Sequence, residues 1–193
     1  MKRSLVWLML GGVALLAGVI GHRLWESGKS AETTTMASSS LPIFDLVLND
    51  LNGQPRTLGQ WRGKLLIVNY WATWCIPCRE EMPGFSRLQD KYRNKGVQFV
   101  GISIDSVAKI DEFVRATPVS YPLLIGDIDV MENSAALGNT LQALPFTAVF
   151  DPQGRLFSTK LGRLAEADLE RQLIELISRY RQGIPPPGTN PGT

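Results

Sequence analysis

Two cysteines with only two residues between them are the clearest chemical signal in the chain. The stretch WATWCIPCREEMP, residues 71–83, holds both cysteines of the 193-residue sequence, Cys75 and Cys78. A structural zinc site needs about four Cys or His ligands, and the sequence has a single histidine, His22. A purely structural disulfide gains stability from the loop that it closes, and this loop is very short. The spacing therefore favours a redox-active dithiol, with no metal.

The position of the pair supports the same chemistry. Residues 64–71, KLLIVNYW, are short, apolar and β-branched, which predicts a buried central strand. A helix is expected to begin at the cysteines, so Cys75 would lie at its N-terminus, where the helix dipole stabilises a thiolate. Cys78 would lie one turn further on, ready to resolve a mixed disulfide. Pro77 falls in the first turn, where proline is tolerated and stiffens the loop.

Strands alternate with helices along the rest of the chain and end in a hairpin and a helix. This order predicts an α/β fold with a mixed sheet. Strands are expected at residues 41–48 (an outer strand leading into a hairpin), 64–71, 97–104, 121–125, 146–150 and 155–161, and helices at residues 80–92, 107–117, 130–137 and 164–180.

The N-terminus predicts a membrane anchor. Lys2 and Arg3 precede an uncharged run over residues 4–21, which is at the threshold length for a spanning helix. The run is longer than the roughly 7–15 apolar residues of a cleaved signal peptide, and no convincing cleavage site follows it. We therefore expect a single-pass anchor at the cytoplasmic (inner) membrane, with the N-terminus inside and the rest on the periplasmic, extracytoplasmic side.

Composition divides the chain into four predicted parts. Residues 1–25 would be the anchor, 26–40 a flexible polar linker, 41–182 one domain, and 183–193 a disordered Pro/Gly-rich tail. The net charge of +2 is spread along the sequence without a basic run, so we expect no nucleic-acid partner.

Several segments together resemble the TlpA/ResA-like branch of the thioredoxin superfamily. Residues 71–83 resemble its active-site segment, and residues 50–64 resemble its N-terminal extension and the entry to its first core strand. Residues 144–147 and 151–154 resemble its cis-proline segment and the following turn. The resemblance spans residues 41–180. It implies a thioredoxin-like fold, a mixed central sheet flanked by helices, with an N-terminal β extension preceded by one transmembrane helix.

The resemblance also implies a substrate-binding surface. The bond between Leu144 and Pro145 would be cis and lie against the cysteines, with the Leu144 backbone aimed at an incoming strand; the alternative is an ordinary trans proline that starts a strand. Trp74, Ile76 and Pro77 would complete this surface. For Trp74 the alternative is a core aromatic residue.

One position departs from cytoplasmic thioredoxins, which have a buried Asp six residues before the first cysteine. Here that position is Asn69, which cannot titrate. The resemblance suggests that Glu81, three residues after Cys78, tunes the thiol pKa values or shuttles a proton. Alternatively, Glu80 and Glu81 are solvated carboxylates near a helix N-terminus.

The predicted activity is reduction of disulfides in exported client proteins, with a thiol-reducing membrane protein as electron donor. The two cysteines carry the electrons, so no cofactor is expected. Between them, Ile76 and Pro77 supply neither a histidine nor a charge, which favours a weak-to-moderate reductant. The resemblance implies the same direction, because relatives of this type reduce disulfides for cytochrome c maturation, metal-centre assembly or other exported proteins. A disulfide oxidase or isomerase, a peroxiredoxin-like peroxidase and a binding module remain alternatives.

Overall fold

A seven-stranded mixed sheet lies at the centre of residues 42–183, the part of the chain that the computed structural model describes. The strand order is β2-β1-β5-β4-β3-β6-β7. β3 pairs in parallel with β4, and β4 with β5, whereas β1–β2, β1–β5, β3–β6 and β6–β7 are antiparallel. The strands are β1 Val47–Asp50, β2 Pro55–Thr57, β3 Leu65–Trp71, β4 Val97–Ser103, β5 Leu123–Ile125, β6 Phe146–Phe150 and β7 Leu156–Leu161.

Four α-helices cover the sheet. They are α1 Ile76–Tyr92, α2 Val107–Ala116, α3 Ile128–Ala136 and α4 Glu166–Arg181. Short 3-10 turns occur at Pro42–Phe44, Leu58–Trp61 and Arg93–Lys95.

Side chains of β3 alternate between two buried clusters, as the pleat of a strand requires. Leu65, Ile67 and Trp71 join the cluster formed with α1, α2 and α4. The intervening Leu66, Val68 and Tyr70 join the cluster that contains the first 3-10 turn and residues of α3. All seven residues of β3 are buried, which confirms the prediction of a central strand covered on both faces.

The predicted mixed α/β sheet and the final hairpin are confirmed, but the first predicted strand is wrong in its bounds. Residues 42–44 form a 3-10 turn, and β1 begins only at Val47. Ile43 and Phe44 are buried because the turn inserts them into the core, where the Phe44 ring packs against Phe150 with centroids 5.1 Å apart. β1 does form a hairpin, and its partner β2, rather than β1 itself, is the edge of the sheet.

The first helix also begins earlier than its apolar periodicity indicates. α1 starts at Ile76, so Cys78 is already inside it, and Pro83 lies within the same helix. The predicted anchor (1–25), linker (26–40) and residues 184–193 of the predicted tail lie outside the described residues. Between residues 42 and 183, no helix has both the length and the apolar character that crossing a bilayer requires.

The two ends of the sheet differ in what they carry. The parallel strands β3 and β4 finish at Trp71 and Ser103, directly before the segment with the cysteines. We call this the cysteine end. At the opposite end lie the start of β3, the last turn of α1 and the turn between β6 and β7, joined by the hydrogen bonds from Leu65 N–H to Gly96 O and from Gly63 N–H to Pro152 O, both 2.9 Å.

Candidate active site

Cys75 and Cys78 form a disulfide at the start of α1, with an S–S distance of 2.01 Å. Cys75 is the N-cap of the helix, and its Sγ accepts a hydrogen bond from the Cys78 N–H at 3.3 Å. Ile76 and Pro77 occupy the first two helical positions. Free N–H groups at a helix start and the positive end of its dipole stabilise a thiolate at Cys75 once the bond is reduced.

The two sulfurs differ in access. Cys75 is 5% exposed and Cys78 is fully enclosed. Both residues are buried, but only Cys75 keeps any exposed surface. We therefore expect an external disulfide to reach Cys75 rather than Cys78, which is the asymmetry that an attacking thiol and a resolving thiol require.

Glu81 lies in the protein interior, one helical turn after Cys78. It is 4% exposed, and its two carboxylate oxygens accept hydrogen bonds from Asn69 Nδ2 at 2.7 Å and from the Leu164 N–H at 2.9 Å. Burial raises the pKa of Glu81 to about 7, against the smaller lowering effects of these two hydrogen bonds and of Arg163. The alternative in which Glu81 is solvated is therefore wrong.

Glu80, by contrast, has the solvated position that was considered for both residues. Its side chain is half exposed, and it pairs with Arg163 at 3.4 Å. The helix directs Glu80 outward and Glu81 inward because consecutive residues lie about 100° apart around its axis.

Asn69 connects Glu81 to the strand that follows Pro145. Besides Glu81, its Nδ2 contacts Thr147 Oγ1 of β6 at 3.2 Å. Asn69 is buried, and its Oδ1 accepts no hydrogen bond within the described part of the chain. Asn69, at the position where cytoplasmic thioredoxins have a titratable Asp, thus holds the Glu81 carboxylate in place.

The bond between Leu144 and Pro145 is cis, as the resemblance implies. Pro145 is buried, and its carbonyl accepts a hydrogen bond from Gly162 N–H at 2.8 Å. Leu144 is partly buried against both clusters, and within residues 42–183 its own backbone N–H and C=O form no hydrogen bond. Both groups therefore remain free to pair with an extended chain.

The two tryptophans near the cysteines have different environments. Trp71 is fully buried and packs on Phe113, with ring centroids 5.1 Å apart, whereas Trp74 is 63% exposed. Ile76, between the cysteines, is 67% exposed. Exposed apolar side chains next to the accessible sulfur are suited to contact with another protein. The alternative of a core aromatic is therefore wrong for Trp74, and its contact with a client stays a prediction.

Asp105 is a site residue that the sequence interpretation missed. It is buried two residues after the end of β4, and its Oδ2 accepts a hydrogen bond from the Thr73 N–H at 2.6 Å. Thr73 lies two residues before Cys75, so this bond fixes the segment that leads from β3 to the helix start. An acidic residue just after a buried strand, at the carboxyl edge of the sheet, is the signal that could have identified it.

Leu141 is a large apolar side chain that is 77% exposed, in the loop before Pro145, and no local pattern in the sequence marks it. Among residues 42–183, no three Cys, His, Asp or Glu side chains are grouped so that they could hold a metal ion.

Comparison with known proteins agrees with this geometry. The protein-family model that is described as the AhpC/TSA family matches residues 39–158 of the sequence. Thiol-disulfide oxidoreductase ResA of Geobacillus kaustophilus is 29% identical over 175 residues, which cover 90% of this chain and 97% of ResA. Thioredoxin-like protein YneN of Bacillus subtilis is 28% identical over 167 residues, covering 86% and 96%.

A solved structure is similar over the same domain. The thioredoxin-related protein from Neisseria meningitidis serogroup B has 34% sequence identity and a TM-score of 0.59, and the match covers 70% of this chain and 98% of the Neisseria chain. With an accessible Cys75, an enclosed Cys78 and a thioredoxin-like sheet behind them, the chain belongs to the AhpC/TSA family and is a ResA-like thiol-disulfide oxidoreductase of the thioredoxin superfamily.

Proposed function

We propose that the protein is a membrane-tethered reductase that opens disulfides in exported proteins on the outer side of the cytoplasmic membrane. The observation that carries the proposal is the unequal access of the two sulfurs, because it separates the roles of attack and resolution. The anchor predicted at residues 1–25 would place the domain in the compartment where client disulfides form.

The first step is attack on the client. The Cys75 thiolate bonds to one sulfur of a client disulfide, the client S–S bond breaks, and the second client sulfur leaves as a thiolate that takes a proton from solvent. The client strand is held by the free backbone groups of Leu144 beside Pro145, and its flanking side chains rest on Trp74, Ile76 and Pro77.

The second step releases the client. Cys78 loses its proton, which we assign to the neighbouring carboxylate of Glu81, and attacks Cys75 Sγ. The mixed disulfide breaks, and the client's remaining thiolate is protonated. Two electrons have then moved from the enzyme dithiol to the client, and the Cys75–Cys78 bond has formed. A membrane dithiol donor would restore the reduced enzyme by the same exchange, so the reaction itself needs no cofactor.

Trapping tests the proposal and names the client. Cys78→Ala should accumulate a thiol-sensitive complex through Cys75, and the double variant Cys75→Ala/Cys78→Ala should accumulate none. The TlpA/ResA-like character of the active-site segment leads us to expect a client in cytochrome c maturation. Equal complex formation by both variants would remove the exchange mechanism.

The direction of transfer has its own measurement. With Ile76 and Pro77 between the cysteines, we expect equilibration with glutathione to give a reducing potential. A value near −120 mV, typical of a strong oxidant, would instead assign the protein as an oxidase, and catalysed refolding of a scrambled substrate would assign it as an isomerase.

Membrane attachment is tested in cells. The full chain should remain in the membrane after alkaline extraction, and protease added to spheroplasts should digest the domain. Release of the whole protein in soluble form would contradict the tether while leaving the chemistry intact.

The AhpC/TSA family match makes a peroxidase the second candidate to measure. Since Cys75 is the first cysteine of a CxxC pair at the N-cap of a helix, we expect no turnover of peroxide by Cys78→Ala. Sustained peroxide consumption by that variant would favour the peroxidase.

A further inference from the structure

The end of the domain opposite the cysteines has a surplus of positive charge. Four cations there form no ion pair with a carboxylate within residues 42–183: Arg62 and Lys64 before β3, Lys95 after α1, and Arg181 at the end of α4. Lys95 interacts with Glu170 only at longer range. Four carboxylates on α1, on α4 and in the turn between β6 and β7 each already pair with a neighbouring arginine or lysine: Asp90, Asp151, Glu170 and Glu175. We call the four unpaired cations the basic end.

This surplus is a property of one end, not of the whole domain. Residues 42–183 contain sixteen basic and sixteen acidic side chains, so the rest of the domain is negative by the same amount. Even with Asp45 counted at the basic end, because it follows Phe44, cations exceed carboxylates there by three. A neutral domain with separated charges turns one end towards an anionic surface.

The start of the described chain lies at the same end. The ring of Phe44 packs on Phe150, the last residue of β6, and the guanidinium of Arg62 stacks on the Phe44 ring at 4.3 Å. Arg62 Nη1 also donates to the carbonyl of Gln153 in the turn between β6 and β7 at 3.3 Å. The turn Pro42–Phe44, with which the described residues begin, therefore lies beside the basic end and away from Cys75.

An apolar cleft lies between two of the unpaired cations. Lys95 and Arg181 border an open cleft of about 450 Å³ that Ile174 and Ile177 also line. Ile174 is 54% exposed. Cations around partly exposed apolar side chains match the boundary between lipid headgroups and acyl chains.

We propose that the basic end docks on the anionic phospholipid headgroups of the bilayer to which the chain is tethered. The inference rests on the proposed tether for its biological setting, but the charge surplus and the position of the turn Pro42–Phe44 are independent of it. Docking in this orientation holds Cys75 near the far end of β3. That end is about 20 Å further from the bilayer than the start of the strand, at roughly 3.3 Å per residue. The active site then faces exported clients instead of lipid.

Vesicle sedimentation with residues 40–193 tests the surface without the anchor. This part folds alone, since both buried clusters lie within residues 43–176 and the similar Neisseria protein is covered over 98% of its length by this domain. We expect binding to vesicles of phosphatidylcholine and phosphatidylglycerol at low salt, loss of binding at high salt, and no binding to phosphatidylcholine alone.

A matched pair of triple variants locates the charge. Lys64→Gln/Lys95→Gln/Arg181→Gln should lower the vesicle partition coefficient by roughly 5-fold per cation, or about 100-fold in all. The control variant Lys109→Gln/Lys160→Gln/Arg171→Gln removes the same amount of positive charge outside the basic end. It should lower the vesicle partition coefficient far less. No binding by the wild-type domain, or equal losses in the two variants, would overturn the proposal. Insulin reduction by the first variant should equal that of wild type, which separates this result from failure of the proposed enzyme activity.

The full chain in nanodiscs tests the orientation. In Cys78→Ala, a donor fluorophore on Cys75 and an acceptor on the headgroups should show low energy transfer with phosphatidylglycerol and higher transfer with phosphatidylcholine alone. Equal transfer in both would overturn the orientation. Failure of the chain to enter nanodiscs, with vesicle binding of residues 40–193 retained, would instead remove the tether and keep the surface.

Discussion

Asn69 donates a hydrogen bond to Glu81 inside the domain, with Nδ2 and Oε1 2.7 Å apart. The donor is on the central strand and the acceptor is on the helix that begins at the cysteines. Asn69 cannot take up a proton, so in this pair only Glu81 can hold one. We therefore predict that the buried carboxylate handles the proton that cytoplasmic thioredoxins assign to the strand residue.

The first prediction concerns stability against pH. Burial raises the pKa of Glu81 from its ordinary value of 4.5 to about 7 in the folded protein. Between pH 4.5 and pH 7, the folded state holds a proton on Glu81 that the unfolded state has released. The stability that this proton contributes is therefore fully present below pH 4.5 and is lost as the pH rises towards 7. Glu81 alone should lower the free energy of unfolding by about 3 kcal/mol across this window.

Urea unfolding of the oxidised protein measures this effect, because oxidised cysteines do not titrate. Glu81→Gln should remove most of the pH dependence, because glutamine does not titrate. The variant should stay folded, because its amide can donate to Asn69 Oδ1 after a flip of the asparagine side chain. Glu80→Gln, at the exposed neighbour, should leave the wild-type slope unchanged. A wild-type slope in the Glu81→Gln protein would show that Glu81 titrates normally.

The second prediction concerns the thiols of the reduced protein. A carboxylate near Cys78 disfavours a second negative charge, so Glu81→Gln should lower the pKa at which the thiols ionise. Thiolate absorbance as a function of pH measures the shift, with Glu80→Gln as the matched control. Superimposable curves for wild type and Glu81→Gln would remove Glu81 from thiol chemistry.

The third prediction separates the two tryptophans. Trp74→Ala should change the free energy of unfolding by less than about 0.5 kcal/mol, because the side chain is exposed, and should raise the KM for a protein disulfide. Trp71→Ala should cost about 3–5 kcal/mol, because the ring is fully buried. Urea unfolding together with insulin reduction resolves both effects. An unchanged KM in Trp74→Ala would exclude this side chain from the client surface.

The fourth prediction concerns the segment before Cys75. Asp105→Ala leaves the Thr73 N–H without its acceptor, which should cost about 1–3 kcal/mol of stability. It should also slow the reaction of reduced Cys75 with a disulfide reagent, because the helix start is less firmly held. Asp105→Asn keeps an oxygen at the same position and should retain most of both properties. Equal losses in the two variants would mean that charge, rather than the hydrogen bond, is important.

Much of the fold follows from local patterns. The apolar run of β3 is buried on both faces as predicted, and the turn at residues 151–154 joins two paired strands. The bounds of β1 could not be derived from the sequence. The pattern of apolar and polar residues around Ile43 and Phe44 fits a 3-10 turn as well as a strand. Only their packing against Phe150 distinguishes the two.

By itself, the sequence determined the chemistry: the spacing of Cys75 and Cys78, and their place between a buried strand and a helix, are properties of adjacent residues. Tertiary structure alone decided which groups surround that pair. Glu81 is buried by a contact with Leu164, 83 residues away, and Thr73 is held by Asp105, 32 residues away. The basic end likewise gathers Lys64, Lys95 and Arg181 from three separate segments. Burial and charge separation depend on such distant contacts, which local periodicity does not encode.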